Sequence, residues 1–431
     1  MLRRLYSWLY VLLLPLLLLR MLGRSRKAVD YRRRLAERLG YRLPPHCDLW
    51  VHAVSVGESV AAVPLIEELL QHQPGLRILV TGMTPTGAER IRTLLGDRVT
   101  HRYLPWDHHR WQARLLNAAQ PRLLLIMETE LWPNLLAEAQ ARKIPVVVAN
   151  ARLSARSAAA YARLPSLVQP MLNSLQQVLA QDEATAQRYR ALGLPASRVA
   201  VCGSLKFDTP LPAFDRQALR ERLHIGARPV WVVGSSHAGE EALILAALPE
   251  LLAIQPELLL ILVPRHPERF AAVARDILAG GWTCCRRSAG ELPTATTQIW
   301  LGDSMGELTQ WYALADVALV AGSLLPHLGG HNVLEPMALA VPTLCGPYVM
   351  NFQHIVDTAV AAHALLQVAP GSALVAAVAS LLRDDGKAAA MRQAAHGLLL
   401  ANRGALQRQL QVIEPYLISD DAGSEVSSQA L

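Results

Sequence analysis

Short, continuous apolar runs alternating with longer amphipathic stretches constrain this chain more than any other feature. The runs are Leu49–Val54, Arg77–Thr81, Leu123–Met127, Ile144–Ala149, Val178–Ala180 and Val199–Cys202, rich in Leu and β-branched residues. A strand with one wet face alternates apolar and polar residues; these do not, so both of their faces must be buried. Parallel sheets covered by helices on both sides meet that demand. The stretches between the runs, such as Val60–Gln71 and Asn134–Arg142, have helical spacing and complete βαβ units. The pattern stalls over Thr209–Pro229, which holds Pro210, Pro212 and Pro229 and one expected helix at Arg216–Leu223. It then resumes, with strands expected at Val230–Val233, Leu258–Val263, Gln298–Leu301, Val317–Val320 and Thr343–Cys345. Helices are expected at Glu240–Ala253, Pro267–Leu278, Met305–Leu314, Val333–Ala340 and Ser372–Leu382. The chain has 431 residues, more than one core usually serves. Two doubly wound α/β domains follow, with ligands expected at the carboxyl ends of the strands and in a cleft between domains. The boundaries read as 1–45 for an N-terminal arm, 46–208 and 230–418 for the domains, 209–229 for a linker, and 419–431 for a polar, disordered tail.

Charge is distributed unevenly along this frame. Residues 1–45 carry eleven Lys and Arg against Asp30 and Glu37, a net +9, while the rest of the chain sums to −2 within a total of +7. A protein that coats nucleic acid would spread its positive charge over the body, so nucleic acid is not an expected partner. Leu5 to Leu22 reads LYSWLYVLLLPLLLLRML, broken only by Ser7, Pro15 and Arg20. As a helix it reaches about 27 Å, close to the hydrocarbon thickness of a bilayer. Tyr6, Trp8 and Tyr10 lie at one end, as interfacial aromatics do, and most of the basic residues follow the run. No small-x-small cleavage site follows Leu19, which argues against a removed signal peptide. Two readings remain: a transmembrane helix, or an in-plane insertion with Pro15 bending the helix and Arg20 snorkelling to headgroups. Either way the +9 arm favours an anionic lipid surface. The five cysteines, Cys47, Cys202, Cys284, Cys285 and Cys345, are odd in number and irregular in spacing, as reduced thiols are. No pattern of zinc ligands accompanies them.

The loops after strands are where a doubly wound domain carries chemistry. Ser55-Val56-Gly57-Glu58 follows the first run. It reads as a capping box, with Ser55 as N-cap and Glu58 at N3, or as a carboxylate held at the mouth of a site. Glu128-Thr129-Glu130-Leu131-Trp132-Pro133-Asn134 follows Leu123–Met127. Pro133 opens a helix and one acid can stabilise its N-terminus, but two carboxylates and a Trp exceed what capping needs. Gly203-Ser204-Leu205-Lys206-Phe207-Asp208 ends the first half, and Lys206 there can neutralise an anion. Arg152 and Arg156 are further cations at a strand end.

In the second half, Gly234-Ser235-Ser236-His237-Ala238-Gly239-Glu240-Glu241 leads from strand to helix with free amides suited to an anion. It lacks G-x-G-x-x-G, so the dinucleotide fingerprint is absent. Pro264-Arg265-His266-Pro267 and Asp303-Ser304-Met305-Gly306-Glu307-Leu308 follow later strands. Gly322-Ser323 precedes Gly329-Gly330-His331-Asn332-Val333-Leu334-Glu335-Pro336. There, paired glycines admit close backbone approach, and Glu335 can accept from two ribose hydroxyls or simply favour the helix terminus.

With these residues in view, the sequence resembles the Kdo transferases, the 3-deoxy-D-manno-octulosonic acid transferases of lipopolysaccharide assembly. The motifs above, together with Pro264-Arg265-His266-Pro267-Glu268-Arg269, carry the resemblance over nearly the whole chain. It implies a GT-B glycosyltransferase with an N-terminal acceptor domain, a C-terminal CMP-Kdo domain, no cofactor and no metal requirement. Carried over by position, Glu58 matches the catalytic base, and Glu128 and Lys206 match residues assigned to transition-state stabilisation. Pro264 and Arg265, Met305, Gly306 and Glu307, and Asn332, Val333, Leu334 and Glu335 match the CMP-binding segments. The implied partners are CMP-Kdo, the lipid A precursor and the anionic lipid of the cell inner membrane, with the catalytic domains on its cytoplasmic side. Two alternatives stay open on the residues alone: a membrane-bound GT-B enzyme with a uridine donor, and a non-hydrolysing sugar-nucleotide epimerase of the same double-sheet design.

Overall fold

A computed structural model of the chain describes residues 2–25, 34–208 and 212–418. The chain divides into two units, 1–209 with 403–431, and 210–402. The expected tail 419–431 lies outside the described residues.

The first unit is built on seven strands: β1 (Leu49–His52), β2 (Ile78–Gly82), β3 (Thr100–Tyr103), β4 (Leu123–Met127), β5 (Val146–Ala151), β6 (Gln177–Ala180) and β7 (Val199–Val201). They form one parallel sheet in the order β3-β2-β1-β4-β5-β6-β7. Two apolar layers sandwich it. Trp50, Leu124, Ile126 and Val148 face the helix Pro133–Ala141, while Leu49, Val51, Leu125 and Val147 face the helix Val56–His72. Central strands buried on both faces are what the unbroken apolar runs require.

The second layer is completed from the far end of the chain. Ala405, Leu410 and Ile413 of the helix Ala405–Ile413, with Leu417, are buried against Leu49, Val51 and Leu179. The expected boundary at 418 therefore gives way to one near 403. No helix was expected over this segment, and its place in sequence alone assigned it to the second domain.

The second unit repeats the design with β8 (Val230–Ser236), β9 (Leu259–Pro264), β10 (Cys284–Arg286), β11 (Ile299–Leu301), β12 (Val317–Val320), β13 (Thr343–Cys345) and β14 (Leu366–Gln367). Their order is β10-β11-β9-β8-β12-β13-β14, again all parallel. The described part of the expected linker is not free. Arg220 of the helix Arg216–Arg222 donates to Leu314 O and Gly226 O, both at 2.8 Å, and to Asp316 Oδ2 at 3.2 Å, which ties it to this unit.

β3, β10 and β14 were not expected from the sequence, and each lies at a sheet edge. An edge strand is covered less fully, so its composition need not be apolar; β3 reads Thr-His-Arg-Tyr and alternates half-buried with buried residues.

At the N-terminus a helix covers Leu2–Ser25 with Pro15 inside it. Among the described residues no helix is long and apolar enough to cross a membrane. The helix is held along one side by polar contacts with the first unit. Ser7 is buried, Asn134 Nδ2 donates to its Oγ at 2.9 Å, and Tyr6 bonds to the buried carboxylate of Asp107. A helix bound to a globular domain through a serine and a tyrosine keeps that side out of lipid. Its other side exposes Leu5, Trp8, Leu9, Leu12, Leu16 and Leu19. The later part of the basic arm is also engaged. Arg34 pairs with Glu37 at 2.6 Å, and the Arg38 guanidinium lies 3.9 Å from the Tyr103 ring centroid, so the first unit begins before residue 46.

Candidate functional site

All strands of the first sheet run parallel, so their carboxyl ends share one edge and the loops after β1, β4, β5 and β7 gather there. The loop after β1 forms the capping box. Ser55 Oγ accepts from Glu58 N at 3.3 Å, and the Glu58 carboxylate accepts from Val54 N at 2.5 Å and Ser55 N at 3.4 Å. Capping leaves the carboxyl close to other acids. Burial pushes Glu58 up to about 7, with the negative charges of Glu130 and then Glu128 raising it further, against the lowering pull of the two amides. The capping and acid–base readings thus describe one side chain: the cap fixes its rotamer and the surroundings tune its proton affinity.

Glu128 follows β4 at φ 58°, a left-handed conformation that costs a non-glycine residue about 1 kcal/mol or more. Its N–H donates to Ala149 O at 3.0 Å, and its carbonyl accepts from Arg152 N at 3.2 Å, which locks the turn. Neither Glu128 nor Glu130 caps the helix at Pro133. That task falls to Asp107, whose two carboxylate oxygens accept from Asn134 N and Leu135 N, each at 2.9 Å. Glu130 instead accepts from Trp132 Nε1 at 2.8 Å, and the Trp132 ring meets His52 edge-on at 5.6 Å. Asp107 was not expected from the sequence, being 27 positions from the amide it caps.

Lys206 sits on the 3₁₀ turn Leu205–Asp208 after β7. Burial lowers its ammonium, Glu128 and Glu58 oppose that shift, and Arg152 adds to it. Glu58, Glu128 and Lys206 are therefore brought together electrostatically, with Arg152 beside them. Asn150, which ends the apolar part of β5 at φ 50°, accepts the Leu205 amide on its side chain at 3.1 Å. Only its position just after an apolar run hinted at that role.

In the second unit the carboxyl edge carries the remaining expected residues. Pro264 closes β9, and Arg265 N donates to Ser236 O at 2.9 Å, which binds that loop to the end of β8. Glu240, fully buried at the start of the next helix, accepts from the backbone N–H groups of His237, Gly322, Ser323 and Leu324 at 2.8–2.9 Å. One carboxylate thus fixes the turns after β8 and β12. Gly322 is needed there: it takes φ 72°, and the His331 ring occupies the space where a Cβ would lie. His331 Nε2 is 2.8 Å from His237 Nε2, so one of the two rings supplies the proton of that bond.

Asn332 Nδ2 donates to Glu335 Oε1 at 3.2 Å, and its Oδ1 accepts from Leu334 N at 3.2 Å. Val333 and Leu334 are buried; Glu335 is half-buried, held above the usual carboxylate range by burial and pulled back by Asn332 and Arg265. Arg265, His331 and Glu335 form one electrostatic cluster. The segment Met305 to Glu307 is held differently. Met305 is exposed, Gly306 takes φ 84°, and Glu307 pairs with Arg287 at 2.7 Å and accepts from Ser304, the Arg287 guanidinium holding its carboxyl below the usual range. Among the described residues no group of three His, Cys, Asp or Glu is arranged to hold a metal ion.

Two parallel α/β units with loop-borne polar groups on the carboxyl edge of each sheet are the GT-B fold, which glycosyltransferases share with sugar-nucleotide epimerases. Solved structures share the arrangement. The UDP-GlcNAc 2-epimerase from Neisseria meningitidis bound to UDP-GlcNAc is 14% identical and covers 85% of this chain and 100% of its own, with a TM-score of 0.58. A glycosyltransferase from Rickettsia africae is 12% identical over 86% of this chain and 99% of its own, with a TM-score of 0.56. At that identity the likeness concerns fold alone.

Sequence is more specific. Residues 33–209 match the family model described as 3-deoxy-D-manno-octulosonic-acid transferase (kdotransferase). The 3-deoxy-D-manno-octulosonic acid transferase of Haemophilus influenzae is 42% identical over 96% of this chain and 98% of its own. That of Bordetella pertussis is 36% identical over 94% and 97%. The chain belongs to the 3-deoxy-D-manno-octulosonic acid transferase family and is a glycosyltransferase.

Proposed function

We propose that this enzyme moves Kdo from CMP-Kdo to the lipid A precursor, lipid IVA, with inversion at the anomeric carbon and without a metal. The observation that carries the reading is Glu58: a buried carboxyl held near neutrality, fixed by its own capping box and set among Glu128, Glu130 and Lys206. An acceptor hydroxyl needs a base poised near the working pH, and this group is one. In the step, the hydroxyl oxygen attacks the anomeric carbon of Kdo as Glu58 takes its proton. The bond from that carbon to the phosphate oxygen breaks, and CMP leaves with the electron pair. Negative charge accumulates on the departing phosphate and adjoins the sugar's own carboxylate. Lys206 and Arg265 are the cations that offset it. Arg265, Asn332 and Glu335 hold the nucleotide, with Pro264, Val333, Leu334 and Met305 to Glu307 shaping its surroundings. We place the enzyme on the cytoplasmic side of the inner membrane, with the exposed apolar side of the N-terminal helix in the lipid interface and the basic arm near anionic headgroups.

The test is incubation of the full-length protein with CMP-Kdo and tetra-acylated lipid A precursor, read by mass spectrometry, which also counts the sugars added. Transfer is expected for the wild type and is abolished in Glu58→Ala with an unchanged circular dichroism spectrum. Near-normal transfer by Glu58→Ala returns that residue to capping alone. Competition by UDP rather than CMP overturns the donor assignment.

A further inference from the structure

We propose that Asn150 and Gln409 are positioning residues for Lys206, so that the helix Ala405–Ile413 forms part of the first unit's catalytic site. The inference rests on the reading of Lys206 given above. The turn that carries Lys206 is a single 3₁₀ turn, too short to hold its own place. The segment is held from outside at two residues before the turn, at Leu205 and through the Asp208 side chain. Cys202 O accepts from Arg408 Nε at 2.9 Å, and Gly203 O accepts from Gln409 Nε2 at 3.4 Å. Leu205 N donates to Asn150 Oδ1 at 3.1 Å, and Asn150 N donates to Gln409 Oε1 at 2.9 Å. Asp208 accepts from Gly404 N at 2.8 Å and Leu406 N at 2.7 Å. Gln409 thus holds the segment twice, at Gly203 just before the turn and through Asn150 at Leu205.

The two side chains are built for this purpose at some cost. Both are fully buried, and Asn150 adopts a left-handed backbone. Its Nδ2 has no hydrogen-bond partner among the described residues. Turning the amide over does not relieve that, because the Leu205 N–H would then face an NH₂ group. An unmet buried donor costs about 1–3 kcal/mol. A strand end that needed only packing would be better served by an apolar side chain. What Asn150 supplies is an acceptor aimed at the residue before Lys206. The charge of Lys206 in turn depends on its distances to Glu128, Glu58 and Arg152, and a displacement of about 1 Å at such a site is costly in rate.

The experiment compares full-length wild type, Gln409→Met, Gln409→Glu, Asn150→Ala, the Gln409→Met/Asn150→Ala double variant and Lys206→Ala in the transfer assay, with rates expressed per folded molecule. Gln409→Met keeps the length and packing of the side chain but lacks the acceptor. It is expected to lower kcat about tenfold or more with the donor KM within twofold of wild type. Gln409→Glu, which retains an oxygen for Asn150 N, is expected to recover most of the loss. Because both residues act through one turn, the double variant is expected to be no slower than the slower single variant. A purely structural role would lower Tm and leave kcat unmoved. Wild-type kcat in Gln409→Met, or losses that multiply in the double variant, overturns the inference while leaving Lys206 in place. Should Gln409→Met fail to fold, the same expectation and the same overturning result apply to Asn150→Ala. Unchanged kcat in Lys206→Ala overturns the underlying reading, and the inference with it.

Discussion

Two side chains at the end of the first sheet show how single residues accept local cost at this site. Glu128 and Asn150 both take positive φ, and neither is a glycine. Glu58 accepts a different cost, a carboxyl held near neutrality. The sign of its pH dependence follows directly. With a folded value of about 7 against an ordinary 4.5, the folded state binds the proton more tightly than the unfolded chain. Stability relative to Glu58→Gln is therefore expected to fall as pH rises from about 4.5 to 7, by roughly 3 kcal/mol in all, and to change little above that. Denaturant melts of both proteins at several pH values read this out; a wild type that gains stability relative to Glu58→Gln as pH rises contradicts it. As a base, the same group is expected to give log(kcat/KM) a slope near one below pH 7 and a plateau above. Glu58, Glu128 and Lys206 were legible because each follows an apolar run in a local motif. Asp107, Asn150 and Gln409 were not. Their partners lie 27 to 259 positions away, and a polar residue in isolation says nothing of what it will face.

Among elements, the central strands could be read from the chain almost residue for residue. β4, β12 and β13 match their expected limits, because burial on both faces leaves no choice of composition. The edges lacked that constraint. Residues 403–418 were grouped with the second domain for a related reason: no helix was expected there, and two equivalent sheets could take its apolar residues. Its packing makes a clear prediction. Leu410 is buried among Leu49, Val51 and their neighbours, so Leu410→Ala is expected to cost about 2–5 kcal/mol. In calorimetry the loss belongs to the transition of the first unit, with that of the second unmoved. A shift confined to the second transition would return the helix to the domain that precedes it in sequence.

For the molecule as a whole, the split between a strongly basic N-terminus and a slightly acidic remainder was plain from counting charges. What counting did not show is that the N-terminal helix has two sides with different commitments: Ser7 and Tyr6 toward the first unit, Trp8 and Leu12 outward. The outward side is the one proposed above to meet the lipid interface. Replacing Trp8 and Leu12 by Ser together is expected to reduce sedimentation with anionic phospholipid vesicles by about tenfold or more, while turnover of detergent-dispersed acceptor stays within twofold. Vesicle binding equal to wild type would remove that side of the helix from membrane contact.

The return of residues 403–431 to the first unit also orders events in time. A ribosome adds roughly 5–20 residues per second, so the helix Ala405–Ile413 emerges about 10–40 s after residue 209 has been made. Throughout that interval the amino-terminal sheet lacks part of one apolar layer, and the turn bearing Lys206 lacks its brace. The growing chain therefore carries an unfinished first unit until Ala405–Ile413 has been made and has packed onto it.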